Sequence, residues 1–225
     1  SNLSASSAAG NHSAAVTETG ELFMWGFGGS GRLGDGTRES HSAPVKIMDN
    51  VKTVSLGGDH SAAITEDGNL YLWGNNHSGQ IGDRTQKDRF EPVKVMDNVK
   101  DVSLGDSHSA AVTRDGNLYL WGDNYFGQLG NSKSRGEYTM FDDDIDSKEP
   151  VKILSNISTV SLGYEHSAAV TDDGVLYLWG KNNFGQIGSD NDCLFSHDYI
   201  EYGGLGYEII AYINYPIQII PKACN

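Results

Sequence analysis

Residues His60 to Gly82 read HSAAITEDGNLYLWGNNHSGQIG. The string returns at His108 to Gly130 (HSAAVTRDGNLYLWGDNYFGQLG), at His166 to Gly188 (HSAAVTDDGVLYLWGKNNFGQIG) and, less closely, at His12 to Gly34 (HSAAVTETGELFMWGFGGSGRLG). Self-similarity at a fixed period marks a repeat architecture, so the chain is an array of four copies. A single copy is too small to cover its own apolar face, and neighbouring copies must stack on one another.

Two series set the phase: His12, His60, His108 and His166, and Trp25, Trp73, Trp121 and Trp179. Both step by 48, 48 and 58 residues. A third series, Pro44, Pro92, Pro150 and Pro216, lies 19, 19, 29 and 37 residues after the tryptophans. Copies three and four therefore carry inserts of 10 and 18 residues at the same place, after the Gly-Gln-Leu/Ile-Gly turn. The repeats run over 2–49, 50–97, 98–155 (insert 131–148) and 156–225 (insert 189–215).

Four strands are expected in each repeat. In the second they are Asn50 to Leu56, apolar at Val51, Val54 and Leu56; Ser61 to Thr65; Leu70 to Trp73; and Pro92 to Met96. Glu66-Asp67-Gly68-Asn69 has hairpin chemistry, with Gly68 free to take positive φ. Each proline is expected to open its strand, where its missing N–H disturbs no ladder. Four short antiparallel strands in about 48 residues fit the blade of a β-propeller, and the fold class is all-β.

The 225 residues hold 16 Lys+Arg against 30 Asp+Glu, a formal net charge of −14. Such a field repels phosphate backbones, so nucleic acid is not expected as a partner. No apolar run approaches a membrane span. Cys193 and Cys224 are the two cysteines; they form either one disulfide or two inert thiols.

The tryptophans, one in each apolar strand, are expected as packing anchors between blades. The histidines, one per copy at a strand entry, are expected to bond turn backbone, because equivalent positions on a ring lie too far apart to share a metal.

The pattern carried by Val51, Val54, Gly57, His60, Gly68, Trp73, Gly74, Asn76, Gly79, Gln80 and Gly82 resembles the regulator of chromosome condensation repeat family. It covers all four copies, roughly residues 2 to 221. The first departs from it with Gly28 for Asn76, Arg32 for Gln80 and Ser6-Ser7 for Val54-Ser55, as a worn terminal repeat would. The resemblance implies a β-propeller, commonly of seven blades. Four copies then leave three readings: a piece of a longer ring, two chains completing a ring as a homodimer, or four blades closing on themselves. The family includes a guanine-nucleotide exchange factor for a small GTPase that also binds chromatin, and a bacterial inhibitor of β-lactamases. No residue here maps onto an exchange loop.

No nucleophile elbow, P-loop, His-Glu-x-x-His or isolated Cys-His pair is present, so no enzyme and no cofactor is expected. Asp142, Asp144 and Asp146 have a one-three-five spacing that hard cations favour, but Ser147 and Ile153 stand where a calcium loop needs Gly and Glu. A solvated loop is the preferred reading. The inserts should rise from one corner of adjacent blades, the second either as a tyrosine-rich binding loop with Tyr199, Tyr202 and Tyr207 or as a local hairpin of Leu205 and Ile209 to Ile213. A further candidate set lies on turns where the copies differ: Asp59, Asp106, Tyr164 and Glu165 before the histidines, and Tyr125, Phe126 and Phe184 after the tryptophans. Drift on exposed turns explains the same pattern. The expected function is a non-catalytic scaffold binding a protein partner, with an inhibitor-like binder of a bacterial enzyme, a structural repeat of a cell-surface protein and, last, an exchange factor as alternatives. An extracellular or bacterial cell-surface location is the corresponding expectation.

Overall fold

A computed structural model describes residues 2–133, 145–188, 196–201 and 207–219, with 196–201 and 207–212 described by their backbone course alone. The described residues are all-β apart from one short turn of helix at Gly29–Gly31. Blade 1 is β1 (Leu3–Ala9), β2 (His12–Thr17), β3 (Leu22–Gly26) and β4 (His41–Met48). Blade 2 is β5 (Val51–Leu56), β6 (His60–Thr65), β7 (Leu70–Gly74) and β8 (Arg89–Met96). Blade 3 is β9 (Val99–Leu104), β10 (His108–Thr113), β11 (Leu118–Gly122) and β12 (Ser147–Leu154). Blade 4 is β13 (Ile157–Leu162), β14 (His166–Thr171), β15 (Leu176–Lys181), β16 (Ser196–Glu201) and β17 (Tyr207–Ile219). Every neighbouring pair is antiparallel. Cys193, Cys224, Tyr202, Leu205, Asp142 and Asp144 lie outside the described residues. No helix among the described residues is long and apolar enough to cross a membrane.

The core lies between blades. Leu70, Leu72 and Ile81 of blade 2 form one buried cluster with Val99, Val102, Leu104 and Trp121 of blade 3, and equivalent clusters join blades 1 and 2 and blades 3 and 4. The second strand shows why. His60 to Thr65 is buried at all six positions, so both faces are covered; Ala63 packs with blade 1 and Ala62 and Ile64 with blade 3. Alanine is small enough to let two sheets close on this strand from both sides. At the ends of the array one face opens: Ser13 is half-buried in blade 1, and His166, Ala168 and Val170 are half-buried in blade 4.

The first strand does not alternate strictly, because the register shifts between Val51 and Thr53. That bulge lets Val51, Val54 and Leu56 all turn inward despite their spacing. The hairpin after β6 forms as expected, with Gly68 at φ +87° and its N–H donating to Thr65 O. The prolines do not open their strands. Pro92 is the fourth residue of β8, and Pro44 and Pro150 hold the same place in β4 and β12. Each sits where the register shifts against the neighbouring strand, so the bulge removes the need for its N–H. The second insert is no free loop over its described part: β16 and β17 pair with each other, and β17 pairs with β15, giving the sheet order β13-β14-β15-β17-β16.

Candidate protein-binding surface

One joint fixes how the blades present their turns. His60 Nε2 lies 2.9 Å from Ser109 Oγ of the next blade. Ser109 Oγ donates back to Gln80 O at 2.7 Å, and Trp121 Nε1 donates to the same carbonyl at 2.9 Å. The pattern repeats for His12, Ser61, Arg32 O and Trp73, and for His108, Ser167, Gln128 O and Trp179. Since each serine spends its one hydrogen on the carbonyl, the imidazole must be the donor through Nε2–H. Nδ1 is then a bare acceptor, and in His12, His60 and His108 it is buried with no partner. The histidines thus bind the hydroxyl of the next blade rather than turn backbone. A one-repeat reading misses this partner, although the His-Ser pair that opens the strand in every copy signals it.

Above this joint, the turns before the histidines stack from blade to blade. Gly58 N donates to Gly105 O at 3.1 Å, and Asp106 N donates to Tyr164 O at 3.2 Å. Each turn is also tied to the residue after its own Trp-Gly: Asn75 N, Asp123 N and Lys181 N donate to Asp59 O, Ser107 O and Glu165 O. The positions that differ between copies therefore converge on one surface. Asp59, Asp106 and Glu165 come together there, with Tyr164 67% exposed beside them. Phe126 joins from its own turn: Lys181 Nζ sits 4.4 Å from its ring centroid and 2.6 Å from Glu165, and Tyr125 packs edge-on against it at 4.7 Å. Phe184, on the equivalent turn of blade 4, is 92% exposed.

Charge is unevenly compensated. Asp59 pairs with Arg32 at 2.6 Å and Glu165 with Lys181, but Asp106 accepts hydrogen bonds only from hydroxyls, Ser107 at 3.2 Å and Tyr164, and has no basic partner among the described residues. Burial, followed by the nearby Asp59 and Glu165, raises the Asp106 carboxyl above the usual range. Asp106, followed by burial and Glu165, raises the Tyr164 phenol. A carboxyl with a raised folded pKa lowers stability above its unfolded pKa and has no effect below it. Asp106→Asn is therefore expected to raise the melting temperature at pH 7 and to leave it unchanged near pH 3, as followed by circular dichroism at both values.

Arg32 is no sign of wear. In blades 2 and 3 the equivalent Gln80 and Gln128 bond Asn75 and Asp123. In blade 1 Phe27 replaces that polar residue, and Arg32 instead stacks on the Phe27 ring at 4.8 Å and reaches across to Asp59. Asp146 also has a fold role: its Oδ1 accepts Asn124 N–H at 3.0 Å, as Asp88 accepts Asn76 N–H and Ser40 accepts Gly28 N–H. All three stand four residues before a proline. No group of His, Cys, Asp or Glu suited to a metal ion occurs among the described residues. Tyr199 and Tyr207 lie on β16 and β17, the two strands farthest from β13 in the sheet order of blade 4.

Comparison with known proteins places the chain in a family. A family model described as RCC1-like domain matches residues 2–212. Prp20p from Saccharomyces cerevisiae, in a structure reported with its binding to Gsp1p and histones, superposes with a TM-score of 0.76 at 24% identity over 99% of this chain and 51% of its own. Human WBSCR16 gives 0.74 at 24% identity over 97% and 53%. The ultraviolet-B receptor UVR8 of Arabidopsis thaliana is 50% identical over 44 residues, which are 19% of this chain and 10% of that protein. The chain thus spans about half the length of the solved relatives and a smaller part of the curated one.

Proposed function

The chain belongs to the RCC1-like domain family, and from that premise we propose that it is a non-catalytic scaffold whose face of pre-histidine turns binds a basic protein segment. The observation that carries this reading is the convergence of Asp59, Asp106, Tyr164 and Glu165 from three successive blades onto one surface, with Asp106 lacking a cation. Exposed aromatics supply contact area at low entropic cost, and an uncompensated carboxylate among them favours a lysine or arginine. The net charge of −14 steers such a partner toward the protein. A protein partner also accords with Prp20p, which binds Gsp1p and histones.

The test is quantitative affinity capture followed by titration of the recovered partner. Tyr164→Ala combined with Phe184→Ala is expected to weaken binding at least about tenfold, the size of a modest interface hot spot. Asp97→Lys, on an exposed turn where Asp97 pairs with Lys94, should leave binding unchanged. Equal affinity for the aromatic double variant and the parent would move the site elsewhere.

A further inference from the structure

Two cations of this chain are held on the face of pre-histidine turns in the same way. Arg32 stacks on the Phe27 ring at 4.8 Å and pairs with Asp59 at 2.6 Å, so the ring comes from blade 1 and the acid from blade 2. Its Nε–H is anchored on Gly29 O at 2.9 Å. Lys181 lies 4.4 Å from the Phe126 ring of blade 3 and 2.6 Å from Glu165 of blade 4. A cation set between a π face and a carboxylate gains from both. Close to the acids of both clamps is a third pairing of acid and ring on adjacent blades, Asp106 of blade 3 and Tyr164 of blade 4. Asp106 N–H donates to Tyr164 O at 3.2 Å and the Tyr164 hydroxyl donates to the Asp106 carboxyl, which holds the ring beside the acid. No Lys or Arg of the described residues pairs with Asp106. Asp123 of the same blade likewise bonds neutral donors, Gln128 Nε2 at 2.7 Å and Tyr125 N at 3.1 Å.

We propose that Asp106 and Tyr164 form a subsite for one arginine side chain of a protein partner, which seats there as the third clamped cation of the face. The subsite rests on the reading of this face as a protein-binding surface and adds the chemistry of the anchor. An ionised carboxylate has about four acceptor sites, and the Ser107 and Tyr164 hydroxyls use two, so a fork of N–H donors still finds acceptors. A guanidinium suits the place better than an ammonium on two counts. Its flat face stacks on the Tyr164 ring, 67% exposed, while its edge reaches the acid, and it is the more weakly hydrated of the two cations. The same order holds within the chain: Arg32 keeps 4% of its side chain exposed in its clamp, Lys181 23%. Charge is complementary as well, since the incoming cation compensates the acid that the chain leaves without one.

Fluorescence anisotropy at physiological ionic strength tests this with labelled hexapeptides in which glycine alternates with arginine, with lysine or with citrulline. The arginine peptide is expected to bind, the lysine peptide to bind about tenfold more weakly, and the citrulline peptide, which keeps the shape but not the charge, to show no binding. Asp106→Asn should weaken the arginine peptide about tenfold and erase its advantage over lysine. Asp97→Asn makes the same change in net charge at the exposed pair with Lys94 and should alter nothing. Circular dichroism of both variants reports that each is folded. Binding that falls with Phe184→Ala but is indifferent to Asp106→Asn overturns the subsite and leaves the binding face standing. Binding that is absent, or indifferent to both changes, overturns the subsite and the face together. Equal affinity for the arginine and lysine peptides overturns the assignment of arginine.

Discussion

Acidification from pH 7 to pH 5 is expected to remove about 4 kcal/mol of folding free energy through His60 and His108 alone. Both side chains are fully buried, and burial, followed by His108 and His12 for His60 and by His166 for His108, drives their pKa down to about 3. The geometry supplies the reason. Nε2–H is committed to a serine, so a second proton would have to sit on Nδ1, which faces no acceptor. In the unfolded chain the same imidazoles titrate near 6.5. The folded state is thus the one that resists protonation: the stabilisation is complete above pH 6.5 and is lost as pH falls below it. Each histidine contributes a slope of about 1.4 kcal/mol per pH unit, and His12, whose pKa falls to about 4 through burial and then Arg32, acts in the same window. The carboxyls held low, Glu21, Asp35, Asp67 and Asp83, act below the usual carboxylate range and cannot account for a loss above pH 5. Asp106 and Asp123, whose carboxyls burial raises, work in the opposite direction and reduce the net slope. Urea unfolding at half-unit pH steps measures it. His108→Gln keeps a donor for Ser167 and removes one titrating group, so its slope should fall by about one proton. A slope between pH 7 and pH 5 that His108→Gln leaves unchanged would refute the low imidazole pKa of His108.

What was legible in the sequence follows from where each interaction is encoded. Blade, hairpin and packing tryptophan are written inside one repeat: Gly68 declares its turn by conformational need, and Trp73 declares its burial by sitting between Leu72 and Gly74 in a short apolar strand. The histidine joint is written across repeats, between His60 and Ser109, and so stays hidden when each copy is read alone. Pro92 was misplaced because a proline reads as a strand opener, whereas a register shift on an edge strand tolerates it inside. Arg32 looked like decay because Phe27, which changes with it, lies five residues away, and Asp59, which balances it, lies in the next copy. The candidate surface was half legible. Comparing copies isolates Asp59, Asp106, Tyr164 and Glu165 as residues that vary, but their convergence depends on stacking of turns that only coordinates display. Tyr199 and Tyr207 were legible only as part of a tyrosine-rich insert, and the insert's pairing as β16 and β17 onto β15 is set by contacts across about 30 residues that no repeat pattern displays.

Replacing Trp121 with alanine should destabilise the protein by about 3–5 kcal/mol, and the same change at Trp25 by less than half of that. The two residues hold the same place in their blades, so the comparison isolates what the preceding blade contributes. Trp121 is fully buried among Leu70, Leu72 and Ile81 of blade 2, and its Nε1–H donates to Gln80 O. Truncation opens a cavity in that interface and strips one of the two donors from a buried carbonyl, leaving Ser109. Trp25 has no preceding blade within the chain, is half exposed, and donates to no described acceptor. Its removal forfeits area but creates no closed cavity. For a chain of this length, 3–5 kcal/mol corresponds to a drop of roughly ten degrees in melting temperature. In an array whose units contact only their neighbours, loss of the central joint should also uncouple the two halves. Trp121→Ala is then expected to broaden the unfolding transition, and Trp25→Ala to shift it without broadening. Equal losses at the two positions would mean that the tryptophans act within their own blades, and that the cores between blades are not what holds the array together.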